Sequence, residues 1–176
     1  MLTACKMNDE DALRLLLGAG ARDLEIAVAV AVFYGHFNCF QELWHRASKT
    51  GDLVRTAACI ASLTNNLDIL RVVLKSEKPD HLLHRYGRKL RTILYSWFPK
   101  AAFDRLLPHL SWQLQQEDPS APLLCAVSRG HMRITSYLLE HKADPLIQND
   151  NGLTPLAWAC AQGNLDIVKG MISGIS

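Results

Sequence analysis

Residues 120–138, SAPLLCAVSRGHMRITSYL, and residues 153–171, LTPLAWACAQGNLDIVKGM, superpose at a constant offset of 33 positions without a gap. Pro122 falls on Pro155, Leu123 on Leu156 and Ala126 on Ala159. Gly130 falls on Gly163, Ile134 on Ile167 and Leu138 on Met171. A fixed period of this size marks an array of equal units, each packing only on its neighbours, and it decides the architecture before any single element is assigned.

Each residue type in the unit has a physical task. The hydroxyl of Thr154 can accept from the first free backbone N–H groups of a helix, and Pro155 suits the first helical turn, where its missing N–H costs nothing. Leu156 and Ala159 give a short apolar face of modest bulk, so a neighbouring helix can come close. Gly163 supplies the left-handed backbone that ends this helix. Asn164 then starts a second helix through Ile167, Val168 and Met171. The unit is a helix, a tight turn and an antiparallel helix, with Asn151-Gly152 as the turn signal between units.

At these residues the chain resembles the ankyrin repeat family. NGLTPLAWACAQGNLDIV follows that family's G-x-TPLH-x-A-A-x-x-G-H/N-x-x-I-V pattern, with Ala157 where the family usually has His. APLLCAVSRGHMRITSYLLEHKADP is a second match, with Lys142 in the usual Gly position of the tail. The resemblance implies an all-α fold, an α-solenoid of stacked helix-turn-helix repeats joined by short finger loops.

The pattern continues upstream in weaker copies. In TAACIASLTNNLDILRVVL, Asn65 stands where Gly163 stands, and Asn is the non-glycine residue most tolerant of that backbone. IAVAVAVFYGHFNCFQELW keeps the Gly35-His36 turn but has no Thr-Pro start, and ACKMNDEDALRLLLGAGARD reads as a unit entered midway through its first helix. RKLRTILYSWFPKAAFDRLL, hinged at Phe98-Pro99, reads as a diverged copy. Turn positions then fall at residues 8, 35, 65, 98, 130 and 163. The chain is expected to be one domain over 1–176 with units at 1–21, 22–50, 51–83, 84–115, 116–148 and 149–176, the first and last incomplete. Leu156, Trp158, Ile167 and Met171 in the last unit suggest an end face that something else covers.

The longest apolar run, Ile26 to Tyr34, is too short to span a bilayer and reads as an inner helix buried on two sides. The first residues lack a basic start followed by an apolar stretch, so no secretory signal is visible. Five scattered cysteines, four on first helices and Cys39 on a second, behave as small buried hydrophobes and favour a reducing compartment over disulfides. The expected location is the cytoplasm, or a host cytosol for a delivered effector.

Chemistry is sparse. His81 to His84, HLLH, could place two imidazoles one helical turn apart, but no Cys or carboxylate stands at ligand spacing, and a loop reading is preferred. His36 and His131 follow the turns, where the resemblance implies a helix-starting residue. No nucleophile elbow, phosphate-binding Gly-rich loop or paired-carboxylate motif is present. The chain is read as no enzyme, with no cofactor, no metal and no small-molecule substrate.

What remains is surface. The resemblance implies a concave groove that receives the two residues before each turn. These are Phe33 and Tyr34, Leu63 and Thr64, Ser96 and Trp97, Ser128 and Arg129, Ala161 and Gln162. Tyr, Trp and Arg are the residues that most often anchor interfaces, which singles out Tyr34, Trp97 and Arg129. Phe33 has a competing reading as core. Residues 75–105 hold eight basic against three acidic side chains in a chain of net charge +2, and Arg85 and Arg88 sit in the finger 85–91. That segment could attract an acidic protein or another anion. A pI near 8.3 falls short of a nucleic-acid footprint. The leading reading is a protein-interaction scaffold. Its rivals are a targeting module of a larger enzyme or bacterial effector, and an anion binder through 85–91.

Overall fold

The structure, a computed structural model, describes residues 1–21, 23–76, 121–148 and 152–175. These residues form ten helices in five antiparallel pairs, and no strand occurs among them. The pairs are α1 (Leu2–Met7) with α2 (Glu10–Gly18), α3 (Leu24–Tyr34) with α4 (Phe37–Arg46), and α5 (Gly51–Leu63) with α6 (Leu67–Lys75). Then come α7 (Pro122–Ser128) with α8 (Met132–Glu140), and α9 (Pro155–Ala161) with α10 (Leu165–Ile175).

Between the helices of each pair the backbone turns through a left-handed residue. These residues are Asn8 (φ 56°), Gly35 (φ 73°), Asn65 (φ 61°), Gly130 (φ 69°) and Gly163 (φ 69°). They are the turn positions read from the sequence; the remaining one, residue 98, lies outside the described residues. Asn is tolerated at two of them because its short polar side chain can compensate the backbone locally.

Local chemistry starts the helices as expected at the C-terminal end. The Thr154 hydroxyl accepts from the Ala157 N–H at 3.0 Å and Pro155 opens α9. Pro122 opens α7 in the same way. At α5, Thr50 accepts from the Leu53 N–H at 3.3 Å.

The first helices line up as an inner row in which α1 touches α3, α3 touches α5, α5 touches α7, and α7 touches α9. This row is the core. Ala27 through Val32 are all buried, so α3 is apolar around its whole circumference because it has a helix on each side. The second helices are amphipathic instead. Cys39, Phe40, Leu43 and Trp44 of α4 face inward, as do Ile69, Leu70, Val73 and Leu74 of α6.

The neighbour of the α5–α6 pair is the α7–α8 pair. Helix α7 lies directly on α5, the most extensive helix–helix contact among the described residues. The diverged copy read at 84–115 lies outside those residues. Among the described residues the stack holds five layers, with α5 and α7 side by side.

The last layer differs in detail from its sequence reading. Ile167 and Met171 are buried, and Leu156 and Trp158 are partly covered. Among the described side chains of α10, Leu165 and Ile172 are large apolar groups that are exposed. Ile167 and Met171 are buried on α10, which packs on α8 of the preceding layer. The same geometry exposes Cys160 on α9, while Cys5, Cys39, Cys59 and Cys125 are buried as expected.

Candidate partner-binding site

The layers are held in register by polar side chains that cross from each turn to the preceding layer. The residue after the left-handed turn reaches back to a carbonyl near the end of the previous first helix. His36 Nδ1 is 2.6 Å from the Cys5 oxygen, Asn66 Nδ2 donates to the Val32 oxygen at 3.1 Å, and His131 Nε2 is 3.1 Å from the Leu63 oxygen. A carbonyl can only accept, so His36 carries its proton on Nδ1 and His131 on Nε2 in these contacts. None of the three caps its own helix through the side chain. His36 and His131, expected to start their helices, stand at the N-cap positions of α4 and α8, but their side chains reach the neighbouring layer.

This stacking places the residues just before the turns in one row. At α3, Phe33 and Tyr34 are half-buried and pack edge to face, with ring centroids 5.1 Å apart. Tyr34 also stacks near-parallel on His36, with centroids 5.9 Å apart, and the Lys6 ammonium lies 5.9 Å from its ring centre. Such a cation near the ring face is attracted by the π cloud. Phe33 lies against the core, in line with its competing reading.

At α5 the two expected residues separate. Thr64 is half-buried; its hydroxyl donates to the Ile60 carbonyl at 2.9 Å and accepts from Asn66 at 2.8 Å. Leu63 is only 4% exposed. Its expected place in the groove is corrected: its side chain belongs to the core, and what it offers the turn is its carbonyl, taken up by His131. Among the described first helices, α5 is the longest, and α7 covers it at this end.

Arg129 and Gln162 are exposed and line an open cleft together with Ser128, Gly130 and Asn164. Gln162 Nε2 donates to the Ser128 carbonyl at 3.1 Å, another tie between adjacent layers. Trp97, Arg85 and Arg88 lie outside the described residues, as does the basic segment beyond Ser76 and the HLLH stretch. With α5 beside α7, Thr64 and Arg129 belong to adjacent layers of the row.

Two residues of the row escaped the sequence reading. Lys6 and Met7 stand one and two positions before Asn8, as Phe33 and Tyr34 stand before Gly35. Met7 is 72% exposed, unusual for a large apolar side chain. The same offset applied to the first turn would have found both.

Burial, and then the neighbouring Cys39, push the Cys5 thiol up to about 11. Burial, with Glu10 and Asp9 nearby, also raises Cys39. Both shifts oppose thiolate formation, the reverse of an activated nucleophile. No group of three or more metal-ligating side chains occurs among the described residues. No helix among them is long and apolar enough to cross a membrane.

Helix pairs turned through left-handed residues, opened by Thr-Pro or Pro and tied layer to layer by His and Asn define an α-solenoid. The family model described as ankyrin repeats (3 copies) matches residues 98–176. A protein of Escherichia coli (strain K12) named as an ankyrin repeat protein, YahD, is 25% identical over 188 residues, covering 98% of this chain and 94% of that protein. Both likenesses support an ankyrin-repeat family for this chain. Ankyrin repeats generally mediate protein–protein interaction and are typically non-catalytic.

Proposed function

We propose that the chain is a protein-interaction scaffold that binds a partner protein along the row Met7, Tyr34, Thr64, Arg129 and Gln162. The observation that carries this reading is positional. These are the side chains immediately before successive left-handed turns, and each is wholly or partly exposed. A row of this kind combines an aromatic ring, a flexible thioether and a guanidinium, the groups that anchor interfaces. It spans five layers, enough for a standard interface of about 800 Å² per partner. A reducing, cytosolic setting accompanies the reading, supported by five cysteines of which none is in a disulfide.

Site-specific photo-crosslinking tests it. A crosslinking side chain is placed in turn at positions 7, 34, 64, 129 and 162, with controls at Gln41 and Lys169 on exposed second-helix positions. Adducts with a common partner from the row, and not from the controls, are expected. Equal or stronger adducts from Gln41 and Lys169 would move the binding surface elsewhere.

A further inference from the structure

Cys5 of α1 and Cys39 of α4 are both fully buried where the first two layers meet. Two contacts set one turn of α4 beside one turn of α1. His36 Nδ1 is 2.6 Å from the Cys5 backbone oxygen, and Cys39 Sγ is 3.5 Å from Asn8 Oδ1. His36 precedes Cys39 by three positions, as Cys5 precedes Asn8, and residues three apart are neighbours on a helix surface. Both thiols thus fall in the same buried space between α1 and α4. After burial itself, Cys39 is the group that raises the Cys5 thiol most, as a near charge does. Both thiols are free in this structure.

We infer that Cys5 and Cys39 are a dithiol site that a low-molecular-weight disulfide, of the kind glutathione forms, converts into an intrachain disulfide joining the first layer to the second. One protein thiolate attacks a sulfur of the small disulfide, whose S–S bond breaks and releases one small thiolate. The second protein thiolate attacks the mixed disulfide and releases the other. Each protein thiol gives its proton to solvent before it attacks, and each departing small thiolate takes one up. Two protein thiols and one small disulfide become one protein disulfide and two small thiols. Burial keeps both protein sulfurs protonated in the closed junction, so the attack waits on opening of the α1–α2 layer. Helix α1 has six residues and no side chain caps its start, so that opening is local. The disulfide closes the 34 positions from Cys5 to Cys39 into a loop and constrains the opened chain. Oxidation thereby locks the layer that carries Lys6 and Met7 onto the layer that carries Tyr34.

The test uses the full-length chain with Cys160→Ser, so that the exposed thiol does not compete. The protein is incubated overnight with oxidised glutathione at about pH 8, quenched with acid and digested without reductant. A peptide linked through Cys5 and Cys39 is expected in most molecules, with no glutathione left on either residue. The oxidised protein is expected to melt about 5–10 °C above the reduced one, and dithiothreitol to remove the difference. Cys5→Ala and Cys39→Ala, made separately in the same background, are each expected to abolish the linked peptide and the rise in melting temperature. The linked peptide is read in the parent, so the outcome does not depend on how well either alanine variant folds. Separate glutathione adducts on Cys5 and Cys39, or thiols that stay free through the incubation, would overturn the inference. So would crosslinks to Cys59 or Cys125 in place of this one, or a linked protein that melts at or below the reduced one.

Discussion

The Nε2 atom of His131 sits 3.1 Å from the backbone oxygen of Leu63, sixty-eight positions earlier in the chain. This contact ties the end of α5 to the start of α8. Removing it by His131→Ala leaves that carbonyl without this donor in a half-buried site. The expected loss is about 1 kcal/mol of unfolding free energy, read from urea titrations. His131→Asn should recover most of it, because Asn66 does the same task on Val32 with an amide. A variant His131→Asn no more stable than His131→Ala would show that the bond contributes little.

Two glycines with the same backbone differ in their surroundings. At Gly163 a Cβ would meet nothing within 4 Å, so Gly163→Ala suffers only the left-handed backbone penalty, about 1–2 kcal/mol. At Gly35 an added Cβ would come 3.0 Å from Asn66 Oδ1, pressing on the amide that ties α6 to Val32. Gly35→Ala is expected to cost more than Gly163→Ala. Equal melting temperatures for the two variants would contradict the packing at this junction.

Thiol accessibility reports the order of the layers. Cys160 is exposed on α9 and the other four cysteines are buried. Under native conditions a chromogenic disulfide reagent should label one thiol rapidly and the rest only as the array opens. The variant Cys160→Ser should abolish the fast phase. Two fast thiols in the native protein would mean that a layer is open.

Alkaline stability follows from Cys5. Its folded value of about 11 stands above the 9.0 of an unperturbed thiol. Below pH 9 both states keep the proton and this group leaves stability unchanged with pH. Between about 9 and 11 the unfolded chain releases a proton that the folded chain retains, so unfolding becomes easier as pH rises. The raised Cys39 acts in the same direction. The full loss from Cys5 is about 2–3 kcal/mol above pH 11, so Cys5→Ala should show a shallower alkaline decline than the parent. Parallel declines would argue that this thiol ionises freely in the folded state.

Binding should respond at both ends of the row. Tyr34→Ala is expected to weaken the partner complex by about 2 kcal/mol, and Met7→Glu by at least 1 kcal/mol. Met7 is the cleaner probe, since its side chain is largely exposed and Met7→Glu should leave the melting temperature within a degree or two. Unchanged affinity in both variants would exclude the N-terminal part of the row from the interface.

The repeat period, the left-handed turn positions and the cap chemistry were legible in the sequence because each is a local demand of the backbone. Gly163 must adopt a positive φ wherever the chain goes next, and Thr154 finds its N–H partner three residues away. The apolar run at Ala27–Val32 likewise announced a helix covered on both sides. Local rules could not say which layer meets which. That α7 rests on α5, that Leu63 is core while Arg129 is exposed, and that His131 and Asn66 spend their donors on the preceding layer are all set by which helix lies alongside. A side chain's burial and its distant hydrogen-bond acceptor are properties of the neighbour, and two layers far apart in the chain become neighbours only when their faces meet in the fold.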